Sequence, residues 1–419
     1  MNITHLLYDA LWATARPAGS LWLSASTKHR ALKARLAPPL PRTLASPIWI
    51  HACSVGEVGV ACALSAALKR DLAEVPLLFT ASTRSGHAQA ERLLTPLGDV
   101  TWCPFDAPST VRAFVRRAKP RMLLLIETEI WPNMLRACEE AGIPVILLNG
   151  RISEKHFQRY QRLPGLFRPA FARISIAAMQ DAIYARRIEA LGAHPDHICI
   201  TGSLKYDAVA SNVDAHVRSR LRGQHAIPGD APILIFGSTR PGDEVLAAAV
   251  WASLRDTIPG LHLIVAPRHL DRIPEVLAPF NEPVLRRSEL KAGRRPNGEH
   301  IHCIDTHGEL TQFYSLASVA VIGGSFSPEV QGHNPLEPAA LGIPVVFGPC
   351  MANFAEAVRV LTQASGALQV QTHGELLSVL QRLLADAAER RHIGTRGRKA
   401  VLDHQGATER NLRLIRELL

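Results

Sequence analysis

Three short motifs in the first half of the chain place charged side chains directly after apolar runs. The first, Ser54-Val55-Gly56-Glu57, follows the run PIWIHA, and its glycine turn predicts that Glu57 opens a helix. Free amides at a helix N-terminus favour the ionised form of a nearby carboxylate. Such a carboxylate can act as a general base that removes a proton from an attacking hydroxyl. Alternatively, Glu57 is only a first-turn helix residue, because acidic residues are common there.

The second motif, Glu127-Thr128-Glu129, ends the strongly apolar run RMLLLI. In an extended chain, residues two apart point to the same side, so both carboxylates are predicted to face one pocket. Such a pair could hold substrate hydroxyls or support a developing positive charge. The alternative is that one of the two carboxylates caps the helix that begins near Pro132.

The third motif, Gly202-Ser203-Leu204-Lys205, follows the run HICIT. A lone lysine is usually a solvated surface residue. At a strand end beside a glycine turn, however, it can pair with a carboxylate or a phosphate. Because parallel α/β sheets bind ligands at the carboxyl ends of their strands, the three motifs together predict one site.

In the second half, the stretch 319–349 predicts a nucleotide-binding turn. It consists of a short apolar run, a glycine turn, a polar loop, a helix that opens on Asn334-Pro335, and a second apolar run. Asn334 can cap the free amides ahead of it, and proline fits the first helical turn. A helix N-terminus at the carboxyl end of a parallel sheet suits a phosphate or a ribose. Glu337, one turn in, can accept hydrogen bonds from a ribose diol.

Other polar motifs in the second half also follow apolar runs or open helices; they are Gly237-Ser238-Thr239-Arg240, Pro267-Arg268-His269 and His307-Gly308-Glu309-Leu310. Arg268 could neutralise a departing phosphate, because guanidinium matches phosphate geometry. His269 is either a hydrogen-bond donor or a packed loop residue. The P-loop, G-x-G-x-x-G, H-E-x-x-H and G-x-S-x-G patterns are missing from the sequence, so phosphoryl transfer from ATP and hydride transfer from NAD lose their usual support.

Alternating apolar and helical segments must position these residues. The apolar runs lie at 47–52, 75–81, 121–126, 143–149, 174–178, 197–201, 233–237, 261–266, 319–323 and 343–347. Strands that alternate with helices predict parallel β-α-β units. The polar stretch 208–232 predicts a linker between domains at 47–207 and 233–419, with the last helix a candidate to return to the first domain. The predicted fold class is α/β, with two doubly wound, Rossmann-like domains that face each other across a cleft.

Composition agrees with a globular protein of two or more domains, because 419 residues exceed one ordinary core. Hydrophobic residues make up 47% and charged residues 20% of the chain. The net charge of +10 favours anionic partners. The seven cysteines form no C-x-x-C pair, which predicts neither a disulfide framework nor a zinc site and suits a reducing cytosol.

Residues 1–46 form a basic, amphipathic segment, which has no acidic residue after Asp9. Its cations after that position are Arg16, Lys28, Arg30, Lys33, Arg35 and Arg42. Its large apolar residues include Leu6, Leu7, Leu11, Trp12, Leu21, Trp22 and Leu23. No apolar run is long enough for a transmembrane helix, so the segment is predicted to lie on an anionic membrane surface. The alternative is a solvated basic arm whose leucines dock on the protein itself.

Several motifs resemble those of the Kdo transferases, the 3-deoxy-D-manno-octulosonic acid transferases of lipopolysaccharide assembly. They are SVGE at 54–57, ETEIWPN at 127–133, NGRIS at 149–153, GSLKYD at 202–207, APRH at 266–269 and GHNPLEPA at 332–339. The resemblance spans about residues 49 to 354 and implies a GT-B glycosyltransferase that needs neither a metal nor another cofactor. It implies transfer of Kdo from CMP-Kdo to a lipid A precursor (lipid IVA) at the cytoplasmic side of the inner membrane. The apolar N-terminal anchor is usually longer in this family, and here Pro17 and Gly19 interrupt it, so peripheral attachment is expected.

The resemblance also implies roles for single residues. Glu57 would be the general base, and Glu127 and Lys205 would help to stabilise the transition state. The implied CMP contacts are Arg268, His269, Gly308, Glu309, Leu310, Asn334, Pro335, Leu336 and Glu337. With a single carboxylate base and no covalent intermediate, the reaction would invert the anomeric centre.

Two other functions are compatible with parts of the sequence. A GT-B enzyme could use a different nucleotide sugar, such as a UDP-sugar. A non-catalytic nucleic-acid binder is suggested by the positive charge. It is disfavoured because aromatic residues make up only 5% of the chain and no recognised binding module is present; no nucleic-acid partner is therefore expected.

Overall fold

The protein is described from a computed structural model, which describes residues 3–25, 30–41 and 45–419. The described residues divide into two compact units. Unit 1 comprises those of Met1–Ala208 together with Gln405–Leu419, and unit 2 is Val209–His404. None of the described helices combines the length and the apolar character needed to cross a membrane.

Unit 1 is built on a seven-stranded parallel sheet. Its strands are β1 (Ile48–His51), β2 (Leu77–Ala81), β3 (Asp99–Trp102), β4 (Met122–Ile126), β5 (Val145–Gly150), β6 (Ile176–Met179) and β7 (Ile198–Ile200). The spatial order is β3-β2-β1-β4-β5-β6-β7, so the direction of winding changes between β1 and β4. Ligands of open α/β sheets bind at such a switch point. The motifs that contain Glu57 and Glu127 directly follow these two strands.

Helices cover both faces of this sheet. They are α1 (Ile3–Ala25), α2 (Val55–Asp71), α3 (Arg84–Leu94), α4 (Pro108–Ala118), α5 (Pro132–Glu140), α6 (Glu154–Gln161), α7 (Pro164–Ala172), α8 (Ala182–Ala190), α9 (Leu204–Asp207) and the C-terminal α19 (Ala407–Glu417). Alternate residues of β4 enter two apolar cores: Leu123 and Leu125 contribute to the core with α4, α5 and α7, and Leu124 contributes to the core with α2, α3 and α19. Burial on both faces explains the unbroken apolar run of β4.

Unit 2 has a second parallel sheet with seven strands. They are β8 (Ile233–Thr239), β9 (His262–Pro267), β10 (Val284–Arg286), β11 (Ile301–Cys303), β12 (Val319–Ile322), β13 (Val345–Phe347) and β14 (Ala367–Gln369). The order is β10-β11-β9-β8-β12-β13-β14, which places the switch point between β8 and β12. Its helices are α10 (Ala215–Gln224), α11 (Asp243–Leu254), α12 (Ile273–Leu277), α13 (Arg287–Lys291), α14 (Leu310–Tyr314), α15 (Leu336–Ala340), α16 (Ala355–Gln363), α17 (His373–Ala385) and α18 (Ala387–Asp403).

The ten predicted strands are all present, and four further strands were not predicted. The unpredicted strands are β3, β10, β11 and β14. Three of them lie at sheet edges, where they are short and carry polar residues. The stretch 208–232, predicted to be a linker, contains helix α10 and belongs mostly to unit 2.

Helix α1 has a face that packs on unit 1 and an exposed apolar face. On the packed face, the Tyr8 hydroxyl donates a hydrogen bond to Asp106 (2.9 Å), and Trp12 lies against Phe105. The large exposed apolar side chains of α1 are Ile3, Leu6, Leu7, Leu11 and Trp22. Helix α1 therefore packs on unit 1 through one face, while its leucines Leu6, Leu7 and Leu11 remain exposed.

The basic residues that follow α1 are not all surface cations. Arg35 is buried: its Nε donates to the carbonyl of Cys103 (2.9 Å), and its guanidinium lies 4.3 Å from the Phe105 ring centroid. Arg35 was predicted to be one of the cations that face the membrane. That prediction is wrong, because the buried Arg35 side chain stabilises the packing of this segment instead. Lys33 is exposed. Lys28 and Arg42, and the side chains of Arg16, Leu21, Leu23 and Arg30, lie outside the described residues.

Candidate functional site

The Glu57 carboxylate is held in place at the start of α2. The Ser54 hydroxyl donates to Glu57 Oε1 (2.7 Å) and accepts from the Glu57 backbone N–H (3.4 Å). The Cys53 backbone N–H donates to Glu57 Oε2 (2.7 Å). This arrangement resembles a capping box, except that Glu57 accepts from the backbone N–H of Cys53, the residue before the N-cap Ser54. It fixes the carboxylate over the helix N-terminus, directly beyond the carboxyl end of β1.

The surroundings of Glu57 make it a stronger base than an exposed carboxylate. Burial raises its pKa, and the negative charges of Glu129 and, more weakly, Glu127 raise the pKa further. The hydrogen bonds from Ser54 and Cys53 oppose these effects without cancelling them. A base whose pKa is closer to neutrality accepts a proton more readily, so both the geometry and the electrostatics suit general-base catalysis.

The two carboxylates of the second motif have different partners. Glu127 Oε1 lies 3.8 Å from Lys205 Nζ. Glu129 Oε2 accepts a hydrogen bond from Trp131 Nε1 (2.9 Å) and lies 3.8 Å from His51 Nε2. The premise that residue 127 continues an extended strand is wrong, because its φ is +61°. The two carboxylates therefore make separate contacts: Glu127 pairs with Lys205, and Glu129 contacts Trp131 and His51.

Neither carboxylate of this motif caps helix α5. The first amides of that helix are instead capped by Asp106, whose Oδ2 accepts from the Asn133 N–H (3.0 Å) and whose Oδ1 accepts from the Met134 N–H (2.8 Å). This contact from a distant loop leaves Glu127 and Glu129 available for other roles.

Glu129 and His51 form a buried acid–imidazole contact behind Glu57. Burial alone would raise the pKa of Glu129, but the hydrogen bond and charge of His51 hold that pKa below its ordinary value. His51 is completely buried, and its Nδ1 lies 3.0 Å from the Thr80 carbonyl oxygen. Glu129 is therefore anionic at neutral pH, which is the state that raises the pKa of Glu57.

Reasoning from single positions did not select Asn149, which positions the start of α9. It is completely buried at the end of β5 with a φ of +55°, and its Oδ1 accepts from the Leu204 backbone N–H (3.0 Å). This hydrogen bond fixes the start of α9 and with it Lys205. Asn149 and Glu127 are non-glycine residues with positive φ at the ends of adjacent strands, a backbone state that concentrates at functional sites. The available signal was the NGRIS motif.

In unit 2, the stretch predicted to bind a nucleotide forms a turn at Asn334. Helix α15 begins at Leu336, one residue later than predicted, and Asn334 Oδ1 accepts from the Leu336 N–H (3.0 Å). Asn334 Nδ2 and the Thr311 hydroxyl each donate to Glu337, both at 3.3 Å. Burial raises the pKa of Glu337, and these hydrogen bonds and the charge of Arg268 oppose that effect. Glu337 thus presents a positioned acceptor beside the turn.

The second predicted contact segment, at the start of α14, can act only through its backbone. The Glu309 carboxylate lies 3.0 Å from Arg287 Nη2 and 2.8 Å from Lys291 Nζ. Burial alone would raise its pKa, but hydrogen bonds from Arg287, Lys291 and Thr306 lower the pKa of Glu309 to about 2. Gly308, at a φ of +80°, has open space where a side chain would be, so a ligand can approach its backbone. Leu310 is the first residue of α14.

A cluster of basic residues lies near the ends of β8, β9 and β12. Arg268 and His269 are exposed, and the Arg268 N–H donates to the Thr239 carbonyl (3.1 Å). Burial and, more weakly, the charges of Arg268, Arg240 and His269 together lower the pKa of His333 to about 4. The sequence had placed Arg240 at a strand end without assigning it a role, and it had not singled out His333. The cluster forms a local positive potential that suits an anionic ligand.

The described residues contain no candidate metal site. Among the described residues, no group of three or more His, Cys, Asp or Glu side chains is placed to hold a metal ion.

Comparisons with known proteins agree on one family. A family model described as 3-deoxy-D-manno-octulosonic-acid transferase (kdotransferase) matches residues 26–208. A 3-deoxy-D-manno-octulosonic acid transferase of Bordetella pertussis is 34% identical, with 100% of this chain and 97% of the relative covered. The corresponding transferase of Haemophilus influenzae is 31% identical, with coverages of 89% and 87%.

A solved structure gives the fold. The UDP-GlcNAc 2-epimerase from Neisseria meningitidis bound to UDP-GlcNAc matches with a TM-score of 0.60 at 12% identity, covering 88% of this chain and 100% of that protein. Together with the two parallel seven-stranded sheets, this likeness shows a GT-B fold.

Proposed function

Because this chain belongs to the 3-deoxy-D-manno-octulosonic acid (Kdo) transferase family, we propose that it transfers Kdo from CMP-Kdo to a hydroxyl of a lipid A precursor, lipid IVA. The chain is a glycosyltransferase of lipopolysaccharide biosynthesis. The observation that best supports the proposed reaction is the Glu57 carboxylate. It is fixed by Ser54 and Cys53, and its pKa is raised by burial and by Glu129.

In the proposed reaction, Glu57 accepts the proton of the acceptor hydroxyl. The hydroxyl oxygen then bonds to the anomeric carbon of Kdo while the bond from that carbon to the CMP phosphate breaks. Attack from the side opposite the leaving group inverts the anomeric centre. The Lys205–Glu127 pair stabilises the transition state, because its ammonium offsets negative charge and its carboxylate offsets positive charge at the reacting carbon.

Unit 2 holds the donor in this proposal. Glu337, fixed by Asn334, accepts hydrogen bonds from the ribose hydroxyls, and Arg268 neutralises the phosphate as CMP departs. His269, Pro335, Leu336 and the backbone of Gly308, Glu309 and Leu310 complete the CMP contacts. A guanidinium supplies the charge that the leaving group requires, so the proposed reaction uses neither a metal nor a cofactor.

We further propose that residues 1–46 attach the protein peripherally to the cytoplasmic side of the inner membrane. Exposed Ile3, Leu7 and Leu11 recur every four residues along α1, which places them on one helix face. Exposed Lys33 adds positive charge nearby. Replacing Leu7 and Leu11 together by Asp should abolish co-sedimentation with anionic phospholipid vesicles, whereas Asp at exposed Leu402 should leave it unchanged. Equal binding by the two variants would argue against this surface.

The main test is mass spectrometry of the product formed from CMP-Kdo and lipid IVA. The wild-type protein should add Kdo, and Glu57→Gln should lose transfer by roughly 10²–10⁴-fold while retaining CMP binding. Near wild-type turnover in Glu57→Gln would refute the base assignment. A UDP-sugar enzyme would instead be stabilised in a thermal-shift assay by UDP and not by CMP.

The same assay tests the other charged residues of unit 1. Lys205→Ala should reduce turnover by roughly 10²-fold. CMP binding should change little, because Lys205 and its partner Glu127 lie in unit 1, whereas the proposed CMP contacts lie in unit 2. Lys205→Arg retains the positive charge and should recover part of the activity. Weaker CMP binding with unchanged turnover would contradict a role in the transition state.

A further inference from the structure

Arg240 lies at the switch point of unit 2, beside the glycine turn that follows β12. Asp243 Oδ2 accepts hydrogen bonds from the Arg240 backbone N–H (2.8 Å) and the Gly324 backbone N–H (2.7 Å). One carboxylate therefore joins the loops that follow the adjacent strands β8 and β12. Gly324 has a φ of +68°, and a Cβ there would lie 2.4 Å from Val330 Cγ1. The conformation of the loop after β12 thus depends on glycine at this position.

The guanidinium of Arg240 has no acceptor within the described part of the protein. Its Nε is buried without a hydrogen-bond partner, and none of the ion pairs among the described residues includes Arg240, although its charge opposes the rise in the pKa of Asp243. The neighbouring acids have other contacts, since Asp243 binds backbone amides and Glu244 binds Thr239 (2.8 Å). A buried donor without an acceptor is costly, so this position favours an anion supplied by a ligand.

His333 lies in the same positive region, and its lowered pKa of about 4 keeps the ring neutral at neutral pH. Its Nε2 is also buried without a partner among the residues that the structure describes. The charges that act on it, from Arg268, Arg240 and His269, are all positive. Two buried side-chain nitrogens without partners, Arg240 Nε and His333 Nε2, therefore lie close to Arg268, the residue proposed to bind the phosphate.

The proposed donor carries two anions that such a cluster could separate. Kdo is an octulosonic acid, so its anomeric carbon bears a carboxylate in addition to the CMP phosphate. A guanidinium can bind a carboxylate through two parallel hydrogen bonds. Resting on the proposed function, we propose that Arg240, with His333 beside it, binds the sugar carboxylate of the donor, whereas Arg268 binds the phosphate. A neutral sugar would leave Arg240 without an acceptor, which makes this residue a determinant of donor specificity.

The experiment compares a ligand that has the carboxylate with one that lacks it. Initial rates give the KM for CMP-Kdo and the inhibition constant of CMP for the wild-type protein, Arg240→Gln, Arg240→Lys and Arg268→Gln. Arg240→Gln should raise the KM for CMP-Kdo roughly 10- to 100-fold and leave CMP inhibition unchanged. Arg240→Lys keeps the charge without the paired hydrogen bonds, so its KM for CMP-Kdo should lie between those of the wild-type protein and Arg240→Gln. Arg268→Gln should weaken the binding of both CMP-Kdo and CMP.

Arg220→Gln, at an exposed position on α10, is the matched control and should change neither constant. Equal weakening of CMP and CMP-Kdo by Arg240→Gln would make Arg240 a phosphate ligand and overturn the inference. Unchanged constants would also overturn it. Both outcomes leave the proposed function intact if the wild-type protein transfers Kdo. Failure of the wild-type protein to use CMP-Kdo would overturn the proposed function itself.

Discussion

Lys205 Nζ lies 3.8 Å from Glu127 Oε1, which joins the start of α9 to the end of β4. Both side chains remain partly accessible, at 34% and 21% exposure. A pair with this accessibility can still contact a substrate. Asn149 fixes the backbone next to Lys205, and the positive φ of Glu127 directs the other partner. The contact therefore depends on two unusual backbone positions in adjacent strands.

The backbone of Glu127 allows its conformational and chemical roles to be separated. We expect Glu127→Ala and Glu127→Gly to lose transfer equally, by roughly 10²-fold, because both lack the carboxylate. A φ of +61° disfavours alanine more than glycine, so Glu127→Gly should be more stable in urea by about 1 kcal/mol. Ala and Gly at exposed Glu74 provide the control. An alanine variant as stable as the glycine variant would contradict strain at this position.

Glu129 should control the pH dependence of transfer. Glu129→Gln keeps an oxygen acceptor for Trp131 but removes the negative charge that raises the pKa of Glu57. The pKa of Glu57 should then fall, so Glu57 stays deprotonated to lower pH. The acid limb of the kcat/KM profile should shift to lower pH, whereas Glu74→Gln should leave it in place. A shift to higher pH would show that Glu129 does not act on the base through its charge.

A row of buried histidines should make unit 2 sensitive to acid. His302 lies 3.2 Å from His225 and 3.0 Å from His262, between ring nitrogens. Burial lowers the pKa of His225 and His262 to about 4 and that of His302 well below its ordinary value. These rings stay neutral in the folded protein, while the unfolded chain takes up protons below about pH 6.5. Folding stability should therefore fall as the pH drops from about 6.5 towards 4.

Urea denaturation at pH 7.5 and at pH 5.5 measures this effect. Below the pKa of the unfolded state, each buried histidine lowers the free energy of unfolding by an amount that approaches about 1.4 kcal/mol per pH unit. His302→Gln should therefore lose less stability between the two pH values than the wild-type protein. His216→Gln, at an exposed position, should behave like the wild-type protein. An unchanged pH dependence in His302→Gln would exclude this ring as a source of acid sensitivity.

The C-terminal helix should be essential for the stability of unit 1. Leu412 and Ile415 of α19 are buried in the core that also contains Leu64 of α2. Leu412→Ala should lower the free energy of unfolding by about 2–5 kcal/mol and reduce the melting temperature. Arg413→Ala changes the exposed neighbour and should have little effect. Equal melting temperatures for the two variants would show that α19 contributes little to this core.

Strand prediction succeeded for most strands that are covered on both sheet faces, but it missed β11, which is buried and only three residues long. The run MLLLI became β4 because its alternate residues enter two different cores. Edge strand β3, with the sequence DVTW, was missed because its partly exposed residues do not form an apolar run. Local pattern therefore identifies central parallel strands better than short edges.

The strand-end positions of the candidate residues were predicted from the sequence, but their contacts were not. Glu57 and Glu127 were selected as candidates because they follow predicted strands, and the structure places them after β1 and β4. The contact of Glu129 with His51 and the capping of α5 by Asp106 join segments far apart in the chain. No local pattern contains such contacts. The same limit hid the cluster of Arg240 and His333, which depends on how the loops after β8 and β12 pack.

The assignment of α19 to unit 1 also affects how the protein is made. Asp207 accepts hydrogen bonds from the backbone N–H groups of Gly406 (2.7 Å) and Thr408 (2.5 Å), which attaches the end of the chain to a segment synthesised much earlier. A ribosome must translate all of unit 2 before these residues leave the exit tunnel. The nascent N-terminal half therefore carries an uncovered apolar surface on α2 until α19 has been translated, and exposed apolar surface of this kind is prone to aggregation.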